Sequence, residues 1–186
     1  MPPREQKFFI ITGGPGSGKS TLLDWLEQYG FARSAEAGRG IIQDQMAIGG
    51  SALPWKDRML FAELMLSWEM RSYRLATQHA AIGPTLFDRG LPDIIGYLRV
   101  EGLPIPDHLK QAAEQFRYNT HVFIAPHWPE IYQHDAERKQ DPDTARRTYE
   151  VMVAAYTALG YELIELPRTS VEDRGRFVRE QIAERE

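Results

Sequence analysis

The most informative segment of the sequence is Gly13-Gly14-Pro15-Gly16-Ser17-Gly18-Lys19-Ser20-Thr21. It matches the pattern G-x-x-x-x-G-K-[ST], which is typical of loops that bind the phosphates of a nucleotide. The context agrees, because an apolar run from Phe8 to Ile11 precedes the segment as a buried strand would, and leucines with helical spacing follow it. The segment therefore predicts a strand, a phosphate-binding loop and a helix, in that order, and with them nucleotide binding.

Each residue type in this loop has a physical reason. Phosphate oxygens need several backbone amide donors at once, and glycine lets the backbone curl tightly enough to present them. The start of the following helix adds partial positive charge. We expect Lys19 to reach the β- and γ-phosphates and the Ser20 hydroxyl to bind Mg²⁺. The predicted nucleotide-binding residues are Gly14, Pro15, Gly16, Ser17, Gly18, Lys19, Ser20 and Thr21.

The rest of the sequence alternates strand-like apolar runs with helical patterns. Five strands are predicted, at Lys7 to Thr12, Phe31 to Ser34, Thr85 to Asp88, His121 to Ala125 and Tyr161 to Leu166. Five helices are predicted between and after these strands. The first ends at Gly30, the second runs from about Pro54 to His79, and the third begins near Pro92. The fourth extends from Asp141-Pro142 to Gly160, and the fifth begins at Ser170, which forms a capping pair with Asp173. This order predicts an α/β fold, a mostly parallel sheet with helices on both faces and ligands at the carboxyl ends of its strands.

Composition restricts the class of protein. The 186 residues correspond to about one domain, so we expect residues 1–186 to form a single domain. With 26 acidic against 22 basic side chains the net charge is −4, which argues against bulk binding of nucleic acid. The absence of cysteine excludes disulfides, thiolate zinc sites and a thiol nucleophile. No apolar stretch is long enough to span a membrane and the polar start has no signal sequence, so a cytoplasmic protein is expected.

Glu36 and Arg39 follow the second predicted strand, where an acceptor facing the γ-phosphate would lie. The Glu36 carboxylate could act as a general base toward a hydroxyl group, and Arg39 could hold the acceptor or the transition-state charge. The alternative is that Glu36 simply stabilises the start of the next helix through its charge. The sequence leaves these two interpretations of Glu36 equally open.

Asp88 and Arg89 end the third predicted strand. An ionised side chain directly after the apolar pair Leu86-Phe87 needs a reason, because burying a charge is costly. The functional interpretation is that Asp88 coordinates Mg²⁺ through water or removes a proton from the acceptor. Arg89 would also lie at the acceptor. The alternative is that Asp88 caps the helix near Pro92 and Arg89 pairs with a carboxylate. We favour the functional role because the phosphate-binding loop lies one strand away.

A proline-rich and charged stretch, at about residues 126–147, interrupts the pattern as an insertion within the domain. It contains Arg138, Lys139, Arg146 and Arg147. Cations that close over the phosphates assist phosphoryl transfer and exclude water, so we predict a lid with Arg138 and Arg146 as its catalytic arginines. The alternative is a solvated charged face, since Glu137, Asp141 and Asp143 are interspersed.

Taken in order, these motifs resemble a known group of proteins. The matching segments are Gly13 to Thr21, Glu36 to Arg39, Phe87-Asp88-Arg89-Gly90, His127-Trp128-Pro129-Glu130 and Gly160 to Pro167. They are similar to the small predicted ATPase/kinase family that includes the ribosylnicotinamide kinase domain of bacterial NAD regulators. The resemblance runs nearly end to end. It implies a three-layer P-loop NTPase fold of the nucleoside and nucleotide kinase type, ATP with Mg²⁺, and a loop from Pro167 to Thr169 near the adenine.

Three functions are compatible with this pattern. The first is an ATP-dependent kinase of a small, nucleoside-like acceptor, in which Lys19, Mg²⁺ and lid arginines stabilise the transferred group and Asp88 or Glu36 activates the hydroxyl. The second is a regulatory ATPase or GTPase, although no N-K-x-D guanine motif is present. The third is a silent nucleotide sensor. The third strand lacks the Asp-Glu pair of motor ATPases, and no L-S-G-G-Q transporter signature occurs, which disfavours both of those classes.

Overall fold

A computed structural model describes residues 7–79, 83–128 and 142–185. In these ranges the chain forms five strands and seven helices. Their order is β1 (Phe8–Gly13), α1 (Lys19–Gln28), β2 (Ala32–Ser34), α2 (Ala37–Ile48), α3 (Arg58–His79), β3 (Thr85–Asp88), α4 (Leu91–Val100), α5 (Asp107–Gln115), β4 (His121–Ala125), α6 (Pro142–Ala158), β5 (Glu162–Glu165) and α7 (Val171–Ala183). The predicted α/β alternation is confirmed.

The five strands form one sheet in the order β2-β3-β1-β4-β5. All four pairings are parallel, so the expected mostly parallel sheet is parallel throughout its described part. Strand β1 lies at the centre, with Ile11 opposite Asp88 of β3 and opposite Phe123 of β4. The carboxyl ends of β1 and β3 therefore lie side by side, which brings the glycine-rich loop next to Asp88.

Strand β1 is an uninterrupted apolar run because both faces of the sheet are covered. Phe8 and Ile10 are fully buried in the core that helices α3, α4, α5 and α6 form on one face. Phe9 and Ile11 are fully buried against α1 and α7 on the other face. The result is the predicted three-layer arrangement, with α2 packed on α3 beside the first core.

Strand boundaries agree with the sequence to within one residue, and β1 begins and ends one residue later than predicted. Strands β3 and β4 have the predicted bounds, whereas β2 and β5 are shorter than predicted. Helix α3 begins at Arg58 rather than near Pro54, because the Asp57 carboxylate accepts a hydrogen bond from the Leu60 amide at 2.9 Å and starts the helix there. At the start of α7, the Ser170 hydroxyl accepts from the Asp173 amide at 3.2 Å, as predicted.

The predicted insertion at residues 126–147 is described only at its two ends. Residues 129–141, which include Arg138, Lys139 and the expected cap Asp141, lie outside the described residues. Residues from Pro142 onward belong to helix α6. In the part of the chain that the structure describes, no helix combines the length and the apolar character needed to cross a membrane.

Candidate active site

The glycine-rich loop joins β1 to α1 and has the tight backbone that the sequence requires. Gly13, Gly16 and Gly18 have φ angles of 135°, 69° and 76°, a region that favours glycine. Gly13 also passes close to β4, since a Cβ atom there would lie 2.7 Å from the carbonyl oxygen of Ala125. Gly18 caps α1 without a side-chain hydrogen bond, so the helix N-terminus has no side-chain cap.

Lys19 lies within the loop and is only 6% exposed. Its Nζ donates to the carbonyl oxygens of Gly13 at 3.0 Å and Gly14 at 2.8 Å, and to Ser17 Oγ at 3.3 Å. Burial and the neighbouring Arg89 lower the pKa of Lys19 to about 7, although nearby carboxylates oppose the shift. The ammonium group thus donates to neutral carbonyl oxygens. Negatively charged phosphate oxygens at the same place would be stronger hydrogen-bond acceptors.

Arg174 of α7 supports the loop from the side and was not predicted from the sequence. Its Nη1 and Nη2 both donate to the Ser17 carbonyl oxygen at 3.2 Å, while its buried Nε has no hydrogen-bond partner. Burial lowers the pKa of Arg174. The available signal was weak: Arg174 lies on the face of α7 that also carries Val178 and Ile182, and an arginine on an apolar helix face calls for a partner.

Asp88 ends β3 beside the loop and is 3% exposed. Its Oδ2 lies 4.0 Å from Arg33 Nη2, and its buried Oδ1 has no hydrogen-bond partner. Burial raises the pKa of Asp88, with Lys19 opposing the shift and Glu36 adding to it. Gly90, and not Asp88, is the N-cap residue of α4, so the alternative role of Asp88 as a helix cap is not what the structure shows.

Ser20 and Thr21 lie exposed in the first turn of α1. A hydroxyl oxygen at Ser20 and an unpartnered buried carboxylate oxygen at Asp88 are the hard oxygen donors that Mg²⁺ uses together with substrate phosphates. Within the described ranges, no group of three or more histidine or acidic side chains forms a ready-made metal site. The residues present therefore fit a metal ion that arrives with a nucleotide.

Arg89 has a strained backbone, with φ of 71°, and is the one non-glycine residue of the described chain in this region. Such a conformation costs an L-residue about 1–2 kcal/mol. It directs the guanidinium group to two carboxylates, with Nε 3.3 Å from Glu36 Oε1 and Nη1 3.6 Å from Asp93 Oδ1. Burial opposes the charge of Arg89, but Glu36, Asp93 and Asp88 outweigh it and raise its pKa.

Glu36 occupies the N-cap position of α2 but makes no capping hydrogen bond with its side chain. Its carboxylate instead faces Arg89, and its Oε2 lies 3.9 Å from Nε of the half-exposed Arg39. Glu36 thus precedes the first turn of α2 while its carboxylate faces Arg89, and its role as a general base stays a prediction. The structure brings Lys19, Glu36, Asp88 and Arg89 into one electrostatic cluster.

Asp93 is a further buried carboxylate beside Arg89, and it was not predicted from the sequence. It is buried and accepts hydrogen bonds from the Thr12 hydroxyl, the Tyr156 hydroxyl and, at 2.9 Å, the Gly90 amide. Thr12 precedes the loop and Tyr156 belongs to α6, so one carboxylate ties together β1, α4 and α6. Burial raises the pKa of Tyr156, and the hydrogen-bonded Asp93 raises it further.

A cleft of about 200 Å³ opens beside the loop, between α2, α3, α4 and α6. Glu36, Arg89 and Asp93 line its polar part next to Pro15. Apolar side chains form most of the remainder, namely Ile42, Phe61, Met65, Ile94, Val100 and Met152. Such a mixture of apolar walls and a few converging polar groups is typical of a small-molecule site. We refer to it as the acceptor cleft.

The predicted lid arginines are not part of this cluster in the described structure. Arg146 lies exposed near the start of α6, where its Nη2 is 3.8 Å from Asp143 Oδ1. Arg147 is also exposed, and Arg138 lies outside the described residues. Residues 167–169 lie in the connection from β5 to α7, the helix whose Arg174 contacts the phosphate-binding loop.

Comparison with known proteins identifies the family. A family described as an AAA domain matches residues 8–174. The chain belongs to this AAA domain family. No curated protein sequence is significantly similar to it. The narrower resemblance to ribosylnicotinamide kinase domains stays a prediction.

Solved structures share the fold of this AAA domain. Thymidylate kinase from Ehrlichia chaffeensis superposes with a TM-score of 0.65 at 13% identity, covering 96% of this chain and 98% of that one. Deoxyadenosine kinase from M. mycoides, solved with dCMP and dCDP, superposes with a TM-score of 0.62 at 11% identity, covering 95% and 99%. The nucleotide-kinase type of P-loop fold is thereby confirmed. Family and fold together support the expectation of a phosphotransferase or ATPase.

Proposed function

We propose that the protein is an ATP-dependent kinase that transfers the γ-phosphoryl group of ATP to a hydroxyl group of a small, nucleoside-like acceptor. One observation carries this proposal: Glu36 and Arg89 lie between the phosphate-binding loop, which holds Lys19, and the acceptor cleft. A site for a nucleotide alone would not need a second pocket with charged groups at the junction. The kinase fold and the AAA domain family support the same conclusion.

On the nucleotide side, the backbone N–H groups of the loop from Gly14 to Thr21, Pro15 excepted, donate to the ATP phosphates. Lys19 exchanges its carbonyl partners for β- and γ-phosphate oxygens and pairs with them as a cation. Ser20 and Asp88 are the residues that would hold Mg²⁺, which when bound neutralises charge on those phosphates. The loop from Pro167 to Thr169 contacts the adenine.

On the acceptor side, we assign the role of general base to Glu36 rather than Asp88, because Glu36 lines the cleft whereas Asp88 lies beneath the loop. Glu36 removes the proton of the acceptor hydroxyl group while the oxygen of that hydroxyl group bonds to the γ-phosphorus. The bond from that phosphorus to the β–γ bridging oxygen breaks, and ADP leaves with the electron pair. Arg89 orients Glu36 and stabilises charge on the transferred group, and Arg39 contributes at the acceptor.

We extend the proposal to Arg146, near the start of α6, as a cation that approaches the transferred group when the acceptor cleft is filled. Its approach would bring positive charge over the phosphates and exclude water, which limits wasteful hydrolysis. Arg138, the other arginine predicted for a lid, lies outside the described residues. In the described structure Arg146 pairs with Asp143, an exposed pair that costs little to break.

Acceptor-dependent formation of ADP from ATP tests the proposal. The purified protein is incubated with MgATP and a panel of nucleosides, nucleotides and sugars, and ADP and phosphorylated product are measured together. We expect at least one acceptor to increase ADP formation, with product formed in equal amount. If ATP turnover is the same with and without every acceptor, the kinase assignment is wrong, and the regulatory ATPase considered from the sequence takes its place.

A further inference from the structure

Glu69 of α3 is a buried carboxyl group that the proposed reaction does not use. It lines the acceptor cleft and is 3% exposed, and its Oε2 has no hydrogen-bond partner. The hydroxyl group of Tyr97, on another wall of the same cleft, is also buried without a partner. A buried polar atom without a partner lowers stability, so two in one cleft indicate a ligand that completes their hydrogen bonds.

The surroundings of Glu69 favour its neutral form. Burial raises the pKa of Glu69 well above its ordinary value, and the nearby carboxylates of Asp93, Asp88 and Glu36 raise it further, with Arg89 opposing them. A neutral carboxyl group both donates and accepts hydrogen bonds. It therefore suits a hydroxyl or amide group of a ligand, whereas the adjoining carboxylates repel an anion.

The charges that line the acceptor cleft lead to the same conclusion. With Glu69 neutral, three carboxylates among the described residues line it, Glu36, Asp93 and Glu101, against the single cation Arg89. Arg89 already pairs with Glu36 and Asp93, and Glu101 pairs with Arg58 at 3.1 Å. A phosphate monoester on the acceptor would carry about two negative charges into this negative field.

We propose that Glu69 is a specificity-determining residue of the acceptor cleft, where its carboxyl group binds an uncharged polar group of the acceptor and, together with the carboxylates of Glu36 and Asp93, excludes phosphorylated acceptors. The acceptor class is thus a neutral compound with a hydroxyl or amide group besides the one that reacts. This inference rests on the proposed function because it takes the cleft as the acceptor site. It concerns how the acceptor is bound and not how the phosphoryl group is transferred.

Direct binding without ATP tests it, because binding does not depend on phosphoryl transfer. The probes are thymidine, deoxyadenosine, uridine, guanosine, ribose and inositol, each compared with its monophosphate by calorimetry. We expect at least one neutral probe to bind with a Kd below about 1 mM and its monophosphate to bind about tenfold more weakly. Glu69→Gln keeps a donor and an acceptor and should bind that probe within about threefold of the parent, while Glu69→Leu should lose about tenfold.

Two controls separate recognition from a purely structural role. Glu63→Leu, on the same helix but outside the cleft, should bind like the parent. Thermal unfolding of Glu69→Leu should occur at the same or a higher temperature, because the substitution removes an unpartnered buried carboxyl group. The inference is overturned if no neutral probe binds, if a monophosphate binds better than its parent compound, or if Glu69→Leu binds as the parent does. Binding without transfer would instead contradict the kinase assignment alone.

Discussion

Both terminal nitrogens of the Arg174 guanidinium group donate hydrogen bonds to the carbonyl oxygen of Ser17, each at 3.2 Å. Arg174 is 3% exposed, and no carboxylate in the described ranges pairs with it. A buried cation with a carbonyl oxygen as its partner is costly unless a negative charge arrives. We infer that this charge is the nucleotide phosphate, and that Arg174 fixes the loop and adds positive potential beneath it.

Substitution of Arg174 tests this relationship. Arg174→Met should weaken ATP binding by about tenfold or more, because it removes a charge-assisted contact worth about 1.5–3 kcal/mol. Arg176→Met on the same helix is the matched control, since Arg176 is exposed and pairs with Asp173. Both are measured by calorimetric titration with MgATP. Equal ATP affinity in the two variants would show that Arg174 serves only to pack α7.

The lowered pKa of Lys19 predicts that the protein takes up a proton when it binds a nucleotide. In the free protein its pKa is lowered to about 7, and phosphate oxygens stabilise the ammonium form and raise it again. Above pH 7 the site must therefore gain a proton to bind ATP, and affinity should fall by up to about tenfold for each further pH unit. Titrations with MgATP at pH 8 in HEPES and in Tris buffer, which differ in ionisation enthalpy and do not compete with phosphate, measure that proton.

The control is Lys19→Arg, whose guanidinium group stays protonated at pH 8. If it still binds MgATP, its binding enthalpy should be the same in both buffers. An equal enthalpy in both buffers for the parent protein would show that Lys19 is already fully protonated there, contrary to the prediction.

The two candidate carboxylates should respond differently to neutral substitution. Glu36→Gln should lower kcat by about 10²–10⁴-fold with the affinity for ATP unchanged, because it removes the base that acts in the transition state. Asp88→Asn should instead raise the Mg²⁺ concentration needed for half-maximal rate. Steady-state ADP formation over a magnesium series separates the two effects. Glu114→Gln, at an exposed position on α5, is the control. The assignment of roles is reversed if Asp88→Asn shows the kcat loss without a magnesium effect.

The pKa of Glu69 predicts how stability depends on pH. Because its pKa is raised in the folded protein, the folded state binds a proton that the unfolded state releases above about pH 4.5. Its contribution is fully present below that pH and is lost as pH rises toward the folded pKa. Glu69→Gln cannot ionise, so its Tm relative to the parent should increase between pH 5 and pH 8. A constant difference in Tm would mean that Glu69 is ionised throughout.

The sequence predicted those features that depend on local chemistry or on complete burial. Strands β1, β3 and β4 were placed to within one residue because both faces are covered and their apolar runs are continuous. The loop around Lys19 was found because its glycines and lysine serve a geometry that few other residues can adopt. By contrast, α5 was missed, since only Leu109, Ala112 and Ala113 of its nine residues are buried.

The residues that the sequence did not reveal depend on distant partners. Asp93 is tied to Tyr156, 63 residues away, and Arg174 to Ser17, 157 residues away. Asp93 and Arg174 are charged residues on helices, and the sequence pattern alone does not distinguish them from charged residues exposed to solvent. Their burial follows from how α4 and α7 pack on the sheet, and this packing is not encoded in the spacing of any single segment.

Gly175 shows how the contact between Arg174 and the loop depends on packing. It lies inside α7, where alanine would normally favour the helix by about 1 kcal/mol. A Cβ atom at Gly175, however, would lie 2.1 Å from the Trp25 ring of α1. Overpacking of this kind costs about 1–3 kcal/mol, more than the helix gains. Gly175→Ala should therefore lower the Tm and weaken ATP binding, since α7 must move away from α1 and carry Arg174 from Ser17.

A second substitution that makes room distinguishes this mechanism from a general loss of stability. Trp25→Leu removes the indole ring that the new methyl group meets, so Gly175→Ala should be less harmful in that background than in the parent. Unfolding temperatures and MgATP affinities of the two single variants and the double variant give the coupling directly. If the effects of the two substitutions are additive in both measurements, the Trp25 ring is not what holds α7 at the distance that Arg174 requires.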